Sequence, residues 1–181
     1  AARAAGEALP RGAAVLEDPE RLRGVEGGVE AAARREPRAR VAAPAERFRI
    51  VTLRAVPVAA VRLGGVARDE VFDVTPYAEA MSRYLLRHPL SSVLPRKFKI
   101  AFEGCTSEDH AATSINDLGW RAMVAPDGSG RRGFRVQVAG GTAIMCRSGA
   151  SLYEFLPASE ILMVAEAVLR VFQKYGDYEH K

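Results

Sequence analysis

The sequence predicts an α+β domain, an antiparallel sheet with helices packed on one side, preceded by an irregular N-terminal segment. Three observations lead there. Residues 94–104 alternate like a strand, residues 120–138 read as a hairpin, and two amphipathic stretches near 75–86 and 157–176 carry helical periodicity. The 181 residues suffice for one good core and are tight for two.

Residues 1–62 are dominated by Ala, Arg, Gly, Glu, Val and Pro and show no sustained period. So few large apolar side chains leave little surface to bury. This stretch is therefore expected to be disordered or loosely helical, and the domain to occupy residues 63–181. A basic arm for nucleic acid is the functional alternative. Interleaved Glu and Asp, and the scarcity of aromatics for base stacking, count against it.

Beyond Gly64 and Gly65 the texture changes. Thr75 is expected to cap a helix with Pro76 at its first position, and Tyr77, Met81, Tyr84 and Leu85 supply its apolar stripe. Pro89 stops that helix. His88 beside it reads as a helix-end residue favoured by the dipole rather than as a base.

In residues 94–104, Phe98, Ile100 and Phe102 fall on one face and Lys97, Lys99, Ala101 and Glu103 on the other. One face is core and the other charged. The chain has four lysines, Lys97, Lys99, Lys174 and Lys181, and two of them share this face. Their ammonium groups repel unless an anion or carboxylate lies between them.

Residues 111–118 then read as a short helical run capped by Thr106 or Ser107. A nucleophilic Cys105, Asp109, His110 arrangement would lie around one turn rather than converge as a triad must. Trp120 to Val124 forms a strand, Asp127-Gly128-Ser129-Gly130 a turn, and Gly133 to Val138 the antiparallel partner. Gly140 and Gly141 follow, either admitting a bulky group against the backbone or making a turn. A last helix starts after Pro157-Ala158-Ser159-Glu160, buries Ile161, Leu162, Val164, Ala165, Val168, Leu169 and Phe172, and ends at Gly176.

A net charge of +4 and a pI near 9.3 favour anionic partners without naming one. No apolar run approaches the roughly 18 residues that span a bilayer, so no membrane is expected as a partner, and with the basic arm disfavoured, no nucleic acid either. Cys105 and Cys146 sit in no C-x-x-C spacing, which gives neither a disulfide framework nor a four-thiolate metal site. With no apolar signal core near the N-terminus, the cytoplasm is the expected location.

Several motifs carry a likeness in their order and spacing. They are Asp69-Glu70-Val71-Phe72-Asp73-Val74-Thr75-Pro76-Tyr77, Leu94-Pro95-Arg96-Lys97-Phe98-Lys99, and the Gly104-Cys105 step. Ile115-Asn116-Asp117-Leu118-Gly119-Trp120, Gly133-Phe134-Arg135-Val136-Gln137-Val138 with Gly140-Gly141, and Tyr153-Glu154-Phe155-Leu156-Pro157 complete the set. From about residue 65 onward the chain resembles the sirohaem-dependent nitrite and sulfite reductases, in the N-terminal, non-cluster half of their internal repeat.

The resemblance implies a sirohaem domain of a sirohaem and 4Fe-4S oxidoreductase that reduces sulfite to sulfide or nitrite to ammonia with six electrons. Lys97 and Lys99 are similar in position to the family's lysines on the distal side of sirohaem, which hold and protonate the oxyanion. Arg96 is expected to pair with a sirohaem carboxylate, and Gly140, Gly141 and Thr142 to form the turn beside the macrocycle. The implied partners are a C-terminal cluster-bearing half, an electron donor such as ferredoxin or a nicotinamide-linked reductase, and a small anion.

The departures are specific. The cluster-binding C-x5-C and C-x3-C pairs are missing, and Asp109 stands where a cysteine would follow Cys105. The family's Arg-Asn-Val segment is replaced by residues 56–61, for which Arg54 is no substitute. The chain is thus expected to be a fragment, inactive alone, with residues 1–62 diverged or frame-shifted from GC-rich codons. The alternative is a truncated non-catalytic remnant that binds at most an anion or a partner half.

Overall fold

The computed structural model describes residues 56, 58–60, 67–86, 88–143 and 146–179. Five strands, β1 (Val58–Ala60), β2 (Ile100–Glu103), β3 (Leu118–Val124), β4 (Arg132–Val138) and β5 (Ala150–Pro157), lie side by side in chain order. The helices are α1 (Thr75–Leu85), the short α2 (Pro89–Ser92) and α3 (Ile161–Tyr175).

The sheet is mixed. Strands β3, β4 and β5 pair antiparallel, and the hairpin expected over residues 120–138 is there. By contrast β1, β2 and β3 run parallel, so the antiparallel expectation holds for one side of the sheet and not the other. Parallel neighbours require crossovers, and these supply the two layers flanking the sheet. Strand β1 lies within the stretch expected to lack structure, and Val56 and Val58 are buried. The sheet therefore begins upstream of position 63, while expectations for residues 1–55 lie outside the described residues.

Register explains the core. Val58, Ile100, Phe102, Leu118, Trp120, Ala122, Phe134, Val136 and Leu156 follow one another across the pairing and face the same side. Onto that face pack Tyr77, Met81 and Leu85 of α1 and Ile161, Ala165 and Leu169 of α3, all fully buried. Helices do sit on one side. At the centre the Phe134 ring meets Phe72, Tyr77, Phe102 and Trp120 at centroid distances of 5.5, 5.3, 5.6 and 6.0 Å. Such edge-on aromatic contacts add to plain area burial.

Helix α1 buries its predicted stripe, but Thr75 is its first residue rather than its cap. The cap function falls to Asp73, whose Oδ1 accepts the Thr75 N–H at 2.9 Å. His88 does end the segment after α1, and its Nδ1 accepts the Leu90 N–H at the start of α2.

On the opposite face, Ala101, Glu103 and Gly119 are buried beneath the β2–β3 crossover. A Cβ on Gly119 would stand 2.4 Å from the Thr113 carbonyl oxygen, so only glycine admits this approach. The helical run expected over 111–118 shrinks to one 3-10 turn, Thr113–Ile115. Neither Thr106 nor Ser107 caps it. Asp109 does, accepting the Thr113 N–H and hydroxyl at 2.8 Å each, while Thr106 and Ser107 donate to Asp69.

Strand β5 was not foreseen as an element. Its first five residues are exposed, its register with β4 shifts on either side of Val136, and alternation is accordingly blurred. A 3-10 turn, Ala158–Glu160, then leads straight into α3 without a side-chain cap.

Candidate functional site

Lys99 and the turn carrying Gly140 and Gly141 lie at one end of the sheet. Lys99 immediately precedes β2, Asp117 precedes β3, Ala139 and Gly140 follow β4, and Gly149 precedes β5. Hydrogen bonds tie these ends together. Asp117 Oδ2 accepts the Lys99 N–H at 2.8 Å, and the Asp117 carbonyl accepts the Ala139 N–H at 3.0 Å. Gly140 N–H donates to the Asn116 carbonyl at 3.1 Å, and Gly149 N–H to the Ser114 carbonyl at 2.6 Å. Lys99 and the 139–141 turn are thus two inter-strand spacings apart, about 10 Å.

Phe98 is buried while Lys97 and Lys99 are exposed, which is the alternation expected of them. Among the described residues neither lysine carries an ion pair. Arg96 is also exposed, its guanidinium 5.9 Å from the centroid of the Phe172 ring on α3. A guanidinium over a ring face keeps its in-plane N–H donors for a planar acceptor.

The two glycines differ. A Cβ at Gly140 would come within 2.4 Å of the Ser114 carbonyl, so this residue is glycine because its own chain crowds it. Gly141 faces open space, with nothing within 4 Å of an added Cβ, and Thr142 beside it is exposed. The left-handed residue at the strand end is neither of them but Ala139, at φ 63°.

Two members of this end were missed by sequence reasoning. Asp117 fixes the backbone of Lys99 and of the turn, and Arg147, exposed, pairs its backbone with Gly141 in both directions at 2.9 and 3.0 Å. An acid just before a strand and an arginine closing a glycine turn are too common to have signalled it.

The Cys105, Asp109, His110 triad does not assemble, because Asp109 is committed to Thr113 and Ser114. Glu103 takes the place beside His110 instead. On the helical side, Glu166 of α3 accepts the Tyr84 hydroxyl and pairs with Arg170, and His88 Nε2 lies 4.0 Å away. Burial raises its pKa, yet the Tyr84 and Arg170 hydrogen bonds and the nearby His88 outweigh that and hold the carboxyl below its ordinary range.

Taken together, these features define a small mixed-sheet domain with exposed cationic side chains at the ends of its strands. The family model described as the nitrite and sulphite reductase 4Fe-4S domain matches residues 56–181, and the chain belongs to that family. The chain is 31% identical over 114 residues to sulfite reductase (ferredoxin) 1 of Mycolicibacterium paratuberculosis, covering 63% of this chain and 20% of that protein. It is 28% identical over 119 residues to the chloroplastic ferredoxin–nitrite reductase of Arabidopsis thaliana, with the same coverage. The solved structure of the Mycobacterium tuberculosis NirA protein superposes with a TM-score of 0.58 at 30% identity, over 67% of this chain and 21% of that one. The chain thus spans about a fifth of the length of these relatives. Among the described residues no helix is long and apolar enough to cross a membrane.

Proposed function

We propose that this chain supplies the cationic wall of a sulfite or nitrite reductase site, within a complete cytoplasmic enzyme that carries sirohaem and a 4Fe-4S cluster and takes electrons from a donor such as ferredoxin. The observation that supports this reading is that Asp117 links the backbone of Lys99, at the start of β2, to Ala139 of the turn that carries Gly140 and Gly141, at one sheet end.

The residues fit the two cofactors unequally. A 4Fe-4S cluster needs four thiolates, whereas this chain holds buried Cys105 and exposed Cys146, both free. Its ligands are assigned to the partner half. The sheet end suits a macrocycle bearing several carboxylates: Arg147 is exposed there, Arg96 is exposed three residues before Lys99, and Gly141 leaves room against the backbone. When bound, sirohaem supplies the iron that takes the anion and delivers the electrons.

The work of this chain is electrostatic and protonic. Sulfite loses its oxygens, and nitrite its two, as water, so the site must hold a small oxyanion and feed it protons. Ammonium groups at alternate positions of the extended segment leading into β2 would do both, as fixed positive charges and as donors. The Asp117 hydrogen bond to the Lys99 backbone keeps the strand end from fraying, so that the side chain starts from a defined place.

The second reading, a non-catalytic remnant, is favoured by the cysteine count alone. Reconstitution separates the two. The chain mixed with a cluster-bearing half and sirohaem is expected to give a shifted Soret band. If the spectrum stays that of free sirohaem, the reductase reading fails and the remnant stands.

A further inference from the structure

The β2–β3 crossover encloses a second polar group, at the far end of β2 from Lys99. Glu103 ends β2 with its side chain fully buried. Its Oε1 accepts the Cys105 N–H at 2.8 Å and its Oε2 the Ala111 N–H at 2.9 Å, which fixes the carboxylate and leaves lone pairs over. Cys105 is a free thiol, 1% exposed. His110 comes round the loop so that Nδ1 stands 3.8 Å from Glu103 Oε2 and Nε2 3.1 Å from Glu108 Oε2. One ligand atom from each of Glu103, Cys105 and His110 lies within 4.8 Å of the others.

His110 therefore faces a carboxylate from each ring nitrogen, and a metal held at Nδ1 would leave Nε2–H to donate to Glu108. A histidine that binds metal through one nitrogen and donates from the other to a carboxylate is the usual build of such sites.

The loop is also braced in advance. Arg121 Nε donates to the Cys105 carbonyl at 3.3 Å, and its terminal nitrogen to the carbonyls of Thr106 and Glu108 at 2.6 and 3.3 Å. Asp109 holds the next turn through Thr113 and Ser114. Candidate ligands thus sit on a strand end and a constrained loop.

We propose that Glu103, Cys105 and His110 form a binding site for a divalent metal of the zinc type, with Glu108 orienting His110 from outside. Sulfur, nitrogen and one carboxylate suit zinc or cobalt, whereas calcium and magnesium prefer oxygen throughout. On binding, the Cys105 proton leaves to solvent. Thiolate, carboxylate and neutral imidazole become three ligands, and water completes a tetrahedron. The metal ties the end of β2 to its crossover. Lying four residues, about 13 Å, along β2 from Lys99, it is independent of the anion site.

The test uses the full 181-residue chain with Cys146→Ser, so that Cys105 is its single thiol. Chelator-stripped protein is titrated with Co²⁺ and followed by absorbance. One equivalent is expected to bind with a thiolate-to-cobalt charge-transfer band and tetrahedral d–d absorption, both displaced by Zn²⁺. Cys105→Ser should remove the charge-transfer band. His110→Gln, on a half-exposed side chain, should weaken binding about tenfold or more with unchanged circular dichroism. A folded chain without the band, or a His110→Gln variant that binds Co²⁺ undiminished, overturns the site and leaves Glu103 and His110 as an ion pair.

Discussion

On the helical face of the sheet, Phe102, Trp120 and Phe134 pack ring against ring under α1 and α3, whereas on the other face the same strands offer Ala101, Glu103 and Gly119 to a single crossover. The first face is held by area and shape, which are spread over many contacts. The second is held by directed hydrogen bonds, Glu103 and Asp109 accepting from backbone N–H groups of a loop and Arg121 donating to its carbonyls, each with a named partner. The contrast shows why one face reads as core in the sequence and the other hides its structure in polar residues.

The largest test of that contrast is Phe134→Ala. It opens a void among four other aromatic rings and should lower the unfolding free energy by about 3–5 kcal/mol in denaturant titration. A loss below about 1 kcal/mol would mean the aromatic face is not the main source of stability. On the opposite face, Glu103→Ala strands the Cys105 and Ala111 N–H groups and should cost about 1–3 kcal/mol, with Glu103→Gln costing less because an acceptor remains. Equal losses for Ala and Gln would place the cost in the charge instead.

At the rim of the helical face, Glu166→Gln should cost about 1–2 kcal/mol near neutral pH by weakening the Tyr84 and Arg170 bonds. The Glu166 carboxyl is depressed in the folded state, so its contribution is present above the ordinary 4.5 and lost as pH falls through the lower folded value. Wild-type stability should therefore drop on acidification below about pH 4.5, and the Gln variant should lack that part of the drop. Parallel acid curves for the two proteins would remove Glu166 from the account.

Much of the helical face was legible. The stripe of Tyr77, Met81, Tyr84 and Leu85, the residues of α3 and the β3–β4 hairpin all follow from period and turn chemistry, which are local signals. Strand β1 was not, since Val58–Ala60 is three small residues in a stretch of similar composition. Parallel pairing of β2 with β3 is a non-local choice that alternation cannot report. For the same reason Glu103 was assigned the right side of its strand but the wrong environment: period gives the face, and only the crossover decides whether that face meets water. At the sheet end, Lys97, Lys99 and the glycine pair were singled out from the sequence, while the hydrogen bonds of Asp117 and Arg147 follow only from strand ends lying side by side.

The exposed lysines complete the comparison, because they should contribute least to stability and most to function. In the complete enzyme, Lys97→Ala with Lys99→Ala should change unfolding free energy by no more than about 0.5 kcal/mol. Turnover of sulfite or nitrite should fall by about 10²-fold or more, with the sirohaem spectrum retained. Unchanged turnover of both anions in that double variant would contradict the assignment of this sheet end as the cationic wall of the site.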